Sequence, residues 1–121
     1  MRKQFGKISE DLVAEYLMQQ GFSILERNYK KFFGEIDIIA RKDKVIAFIE
    51  VKARKKDNGL MYELVDHRKQ HKIGMVARLF ISNIANSSDD IVYRFDVALV
   101  SGFEGSQNIT YIPNAYSLLE H

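Results

Sequence analysis

The chain has 121 residues, of which 46% are hydrophobic and 28% charged, with one proline and no cysteine. That composition predicts one globular domain over residues 1–121 and argues against disorder, collagen-like repeats and a second domain; the missing cysteines exclude a disulfide scaffold, a thiolate zinc site and a thiol nucleophile. Any metal must therefore sit on oxygen or histidine, and the net charge of +2 says little by itself about partners.

The start, Met1–Lys7, is basic but runs into Glu10 and Asp11 without an apolar core, so it does not read as a secretory signal. No run approaches membrane-spanning length, and the expectation is a cytoplasmic protein with no membrane partner. Residues 3–20 read as an amphipathic helix, with Phe5, Ile8, Leu12, Val13, Tyr16 and Leu17 on one stripe and Gly21 as its stop. Phe22–Arg27 is a short strand candidate, and Asn28–Gly34 reads as a turn carrying Lys30 and Lys31. Glu35–Ala40 and Val45–Ala53 are strong strands joined by the charged turn Arg41–Lys44, predicting a three-stranded antiparallel meander.

Residues 55–62 lack periodicity and contain Asn58-Gly59, the signature of a loop. Val65, Lys69, Ile73, Val76, Ala77, Phe80 and Ile84 mark a second helix over 63–84, and Asn86–Asp90 breaks it. Ile91–Val100 is a fourth strand and Asn108–Ile112 a candidate fifth. Strand, helix, strand implies a right-handed crossover, so the predicted fold is α/β, an αβββαβ arrangement with a central mixed sheet flanked by helices.

Charge is unevenly spread along these elements. Residues 41–78 hold eleven basic and five acidic groups, whereas residues 79–121 hold one and five. Arg54, Lys55, Lys56, Arg68, Lys69 and Lys72 form the densest basic set, a candidate phosphate-facing surface that also reads as an ordinary solvated face. Lys69 falls on the inward stripe of its helix, where it either reaches a phosphate or snorkels.

The chemistry gathers where apolar strands carry charge. In Val45–Ala53 both faces are largely apolar, which predicts a central strand covered on both sides, yet Glu50 and Lys52 lie near its end. Burying such ions costs several kcal/mol each unless they are paired, metal-bound or open to a cleft. Glu50 and Lys52 point the same way about 6.5–7 Å apart, and a neighbouring strand can set Asp37 beside them. Two carboxylates with retained waters suit Mg2+ or Mn2+, with Lys52 orienting a water; a buried Asp37–Lys52 or Glu50–Lys52 ion pair fits the same spacing.

Other candidates carry two readings each. Glu10 borders the first helix's apolar stripe, either tilted over the sheet end or simply exposed. Glu35 shares parity with Asp37 and ranks below it. His67 and His71 stand at metal-binding i, i+4 spacing without an acidic partner, which favours a solvated face. Arg94 and Asp96 share a strand face as a structural pair. Tyr62 and Phe32-Phe33 offer rings for stacking on bases or for packing.

Asp37, twelve intervening residues and then Glu50-Val51-Lys52 resemble the signature of the PD-(D/E)XK nuclease superfamily, with Ile36 in place of the named proline. Together with Gly6, Glu10, Gly21-Phe22, Arg27-Asn28, Gly34–Ala40, Phe48–Arg54, Arg68-Lys69 and Arg94–Asp96, nearly the whole chain is similar to the small YraN-like family. That family in turn resembles archaeal Holliday junction resolvases. The resemblance implies a restriction-endonuclease-like fold, Asp37 and Glu50 as metal-binding acids, Lys52 as the catalytic lysine and Glu10 as a first-helix acid completing the site. Ser9 stands where relatives often have glycine, and Asn58–Tyr62 departs from the usual pattern.

The expected function is a Mg2+- or Mn2+-dependent endonuclease hydrolysing DNA, on branched or otherwise structured substrates, since no recognition-helix signature points to sequence readout. The alternatives are a non-catalytic nucleic-acid-binding module of the same fold and a protein-interaction domain. Cutting both strands of a junction symmetrically needs two sites, which makes a homodimer reasonable.

Overall fold

A computed structural model describes residues 2–54, 66–84, 90–102 and 105–117. Its elements are α1 (Arg2–Gln19), β1 (Ser23–Lys31), β2 (Gly34–Lys42), β3 (Val45–Arg54), α2 (His67–Ile84), β4 (Val92–Ser101) and β5 (Asn108–Tyr116). The five strands form one mixed sheet in the order β1-β2-β3-β4-β5. β3 and β4 are parallel, with α2 between them in sequence, and the other neighbours are antiparallel. The predicted αβββαβ order therefore stands, with β5 added at the far edge.

Strand alternation sorts the core into two layers. On one face Val13, Ala14 and Leu17 of α1 cover Ile38, Ala40, Ala47, Ile49, Ala98 and Val100. On the other, Ile73, Val76, Ala77 and Phe80 of α2 cover Ile36, Ile39, Ile46, Phe48 and Phe95. β3 is thus central and covered on both sides, as its unbroken apolar run predicts. α1 ends where Gly21 takes φ +96, the Gly21 N–H reaches the Met18 carbonyl and the Phe22 N–H the Leu17 carbonyl, a Schellman closure. Lys42 Nζ donates to the Gln20 carbonyl at 2.7 Å, tying that helix end to β2. Among the described residues no helix is long and apolar enough to cross a membrane.

Three boundaries differ from the sequence reading. β1 runs on to Lys31, so Asn28–Gly34 is mostly strand and the turn shrinks to Phe32-Phe33. Asn28 keeps one trace of turn chemistry, a φ of 52° inside the strand, which asparagine tolerates better than most residues. β5 extends to Tyr116 through Pro113, which an edge strand accommodates. The second helix is described from His67, with Asp66 Oδ1 accepting the Lys69 N–H as an N-cap. The predicted loop, Lys55, Lys56, Tyr62 and the predicted start of that helix lie outside the described residues.

Gly34 sets the distance between β2 and α2. A Cβ there would stand 3.1 Å from Val76 Cγ2 and 3.2 Å from the Lys72 carbonyl oxygen, so the strand and helix backbones meet with no room for a side chain. Gly34→Ala is expected to destabilise by about 1–3 kcal/mol in urea denaturation. Gly6→Ala within α1, where a Cβ meets nothing within 4 Å, is expected to have the opposite sign, stabilising by about 0.5–1 kcal/mol.

Candidate functional site

The site begins where β2 leaves β3. Their ladder runs from Lys42↔Val45 to Ile38↔Ile49 and then stops. One residue beyond, Asp37 turns its carboxylate to the opposite strand, and Oδ2 accepts the Val51 N–H at 2.8 Å. A side chain thus replaces a carbonyl as the partner of a sheet amide. Alternation breaks at the same point, because Ile38 packs under α1 while Ile36 packs under α2. The fork leaves a cleft of about 220 Å³ walled by Gly34–Asp37 of β2, Ile49 and Glu50 of β3, and Lys69, Lys72 and Ile73 of α2.

Asp37 and Glu50 both line this cleft, as their shared position near the strand ends predicts. Burial pushes the Asp37 carboxyl up to about 7; the Val51 N–H and the Lys69 charge oppose that rise, and the Glu10 and Glu35 carboxylates reinforce it. Glu50 is 7% exposed. Its Oε2 is 2.6 Å from Lys69 Nζ but 4.0 Å from Lys52 Nζ, so Lys69 is its close counter-ion. The Glu50–Lys52 ion pair that the spacing allowed is thus present, but long, as residues two apart on one strand are widely spaced; the closer partner, Lys69, comes from the helix above. The Lys69 ammonium thus meets the charge of this buried oxygen. Burial lowers the Lys69 ammonium, but Glu50 and Asp37 outweigh that effect and the net shift is upward.

Glu10 and Lys52 stand outside the cleft lining. Glu10 is partly buried on α1, 3.9 Å from Arg27 Nη2, which binds Asp11 more closely at 2.7 Å. Burial raises the Glu10 carboxyl, the Arg27 charge and an Asn28 hydrogen bond oppose the rise, and Glu35 adds to it. The Glu10, Glu35 and Asp37 charges therefore act on one another across the fork. Lys52 is largely buried on the α2 face of β3. Among the described residues no three His, Cys, Asp or Glu side chains stand at metal-holding spacing.

The described basic candidates divide. Lys69 and Lys72 wall the cleft, and Arg68 is exposed on the first turn of α2. Arg54 is partly buried at the end of β3, with Nη1 donating to the Ala53 carbonyl. His67 and His71 are exposed. Arg94 and Asp96 form the expected structural pair at 2.9 Å.

Sequence reasoning did not find Tyr116. Its ring stacks on Phe95 at 5.3 Å, its hydroxyl is buried without a hydrogen-bond partner, and burial together with the Glu50, Asp37 and Asp96 charges raises its pKa. Nothing in the sequence signals this, because the position depends on an irregular β5 register, Phe95↔Tyr116 followed by Val97↔Ile112.

A forked mixed sheet with three acids, Glu35, Asp37 and Glu50, and two lysines, Lys69 and Lys72, lining its cleft defines an α/β protein with a charged site between sheet and helix. Residues 9–100 match the model of a family described as "Uncharacterised protein family UPF0102", and the chain belongs to that family. It is 42% identical to the UPF0102 protein of Dictyoglomus turgidum, over 94% of this chain and 98% of that one. It is 43% identical to that of Caldicellulosiruptor bescii, over 91% and 92%, and 38% identical to that of Vibrio parahaemolyticus, over 96% and 94%.

Proposed function

We propose that the chain is a cytoplasmic, metal-dependent endonuclease that hydrolyses DNA phosphodiester bonds on branched or structured substrates, in line with the PD-(D/E)XK resemblance. The observation that carries this reading is the convergence of Asp37 and Glu50 on one cleft together with Lys69 and Lys72. Two carboxylates with water completing the shell suffice for Mg2+ or Mn2+. The donor chemistry fits such an ion: Asp37 and Glu50 are hard oxygen donors, and mutual repulsion among Glu10, Glu35 and Asp37 favours added positive charge.

Asp37 and Glu50 would hold the ion, with the Val51 carbonyl as a further oxygen. When bound, it supplies positive charge for phosphoryl oxygens and a more acidic water. Lys52 would orient the attacking water, and Lys69 and Lys72 would hold the phosphate. A homodimer would supply the second site for cutting a junction on both strands. The absence of a three-donor cluster among the described residues, with Lys69 already on Glu50, favours the second reading, a nucleic-acid-binding module without turnover.

Calorimetric titration with Mg2+ and Mn2+, then cleavage assays on single-stranded, duplex and four-way DNA, decide between them. The expected result is metal binding by the wild type and a loss of cleavage on the order of 10²-fold or more in Glu50→Gln, with the fold intact. If the wild type binds neither ion and Glu50→Gln loses about 3–5 kcal/mol of stability, Glu50 is a structural ion-pair residue and the nuclease reading fails.

A further inference from the structure

The β1–β2 hairpin ends in two phenylalanines with opposite fates. Phe33 packs against the core layer beneath α2, whereas Phe32 is 100% exposed. The two rings meet edge to face at 4.9 Å, Tyr29 locks onto Phe80 edge to face at 5.4 Å, and Gly34 abuts the α2 backbone. The tip is therefore anchored on three sides, and Phe32 is held outward by a short, packed turn. Large apolar side chains scatter singly over most surfaces, but a fully exposed aromatic ring on such a mount is available for contact.

Its neighbours are cationic. Lys30 is exposed, Lys31 Nζ stands 4.8 Å from the Tyr29 ring centroid, and Lys72 lines the α2 wall of the cleft that opens at Gly34. At about 3.3 Å per residue, Phe32 lies no more than roughly 17 Å along the chain from Asp37. An exposed aromatic ring on a hairpin that also carries Lys30 and Lys31, beside a cleft lined by Lys72, complements a ligand that is both polyanionic and flat-faced.

We infer that Phe32 is a stacking finger for an unpaired or unstacked nucleobase, with Lys30, Lys31 and Lys72 holding phosphates of the same strand as it enters the cleft. This rests on the reading of the cleft as a nucleic-acid site. It extends that reading by assigning the feature recognised, an accessible base face, to a residue outside the cleft. A paired duplex offers no such face without unstacking.

The chain has no tryptophan, so Phe32→Trp creates a single fluorescent reporter at the tip. It is titrated in EDTA at low salt with a four-way junction, a duplex bearing one unpaired base, a fully paired duplex and phosphatidylserine-containing vesicles. Binding of labelled DNA by wild type and Phe32→Ala is followed in parallel by anisotropy, with circular dichroism checking the fold. The expected result is quenching by the junction and the unpaired-base duplex. Phe32→Ala should lose about 5- to 100-fold in affinity for those two and less than about twofold for the paired duplex. Unchanged affinity of Phe32→Ala for all three DNAs, with the wild type still binding them, overturns the stacking role and leaves the nuclease reading standing. A fluorescence response to vesicles alone also overturns it and makes the tip a lipid contact. No DNA binding by the wild type overturns both.

Discussion

Asp37→Asn is expected to stabilise the protein by about 2–4 kcal/mol at pH 8 in EDTA, after allowing for partial solvent access at the cleft, and to lose that advantage as the pH falls towards 4. Burial first, and the Glu10 and Glu35 charges after it, raise the folded carboxyl from 3.8 to about 7. Below the unfolded value both states are protonated and the carboxyl costs nothing. As pH rises the unfolded chain ionises first, so stability drains away until the folded carboxyl also ionises near 7, and the full deficit persists above. Asparagine keeps an oxygen for the Val51 N–H without the charge. Urea denaturation of both proteins at pH 4 and pH 8 checks this. Saturating Mg2+ or Mn2+ should narrow the gap at pH 8 by favouring the ionised wild type. A gap independent of pH would show that Asp37 is not held near neutrality.

The second large effect belongs to Asp96, which is wholly buried away from the cleft lining. Its carboxylate accepts from Arg94 Nε and Nη2, each at 2.9 Å, from the Tyr111 hydroxyl and from the Asn114 N–H at 2.8 Å. Asn114 sits at φ 53° in the irregular part of β5, so this one side chain pins the edge strand to β4. Asp96→Ala strands three donors, one of them a guanidinium, and is expected to cost about 3–5 kcal/mol in urea denaturation. Tyr111→Phe removes a single donor and should cost about 1 kcal/mol. Similar losses in the two variants would refute the hub role of Asp96.

Legibility followed the range of the forces involved. β3 was readable because an unbroken apolar run bearing Glu50 and Lys52 fits little but a central strand ending at a polar opening. Asp37 was readable for the same reason. The Asn28–Gly34 stretch misled because asparagine, lysine and glycine are turn formers locally. Pairing with Gly34–Ile38 across the hairpin overrides that preference. The choice of Lys69 over Lys52 as the close partner of Glu50 depends on how α2 lies over the sheet, a three-dimensional fact with no local signature. The break in alternation at Asp37 and the placement of the Tyr116 hydroxyl are tertiary in the same way.

Sheet order equal to chain order also has a kinetic consequence. β1, β2 and β3 close through the short turns Phe32-Phe33 and Asp43-Lys44, whereas pairing β3 with β4 must wait for the excursion from Arg54 to Val92. Loop closure over that span, followed by parallel docking, is the slow entropic step in such a topology. The meander bearing Asp37 and Glu50 is therefore expected to assemble ahead of the α2 wall, and the two carboxylates to spend the early part of folding in water, crossing into the low-dielectric interior only when Lys69 arrives with the helix.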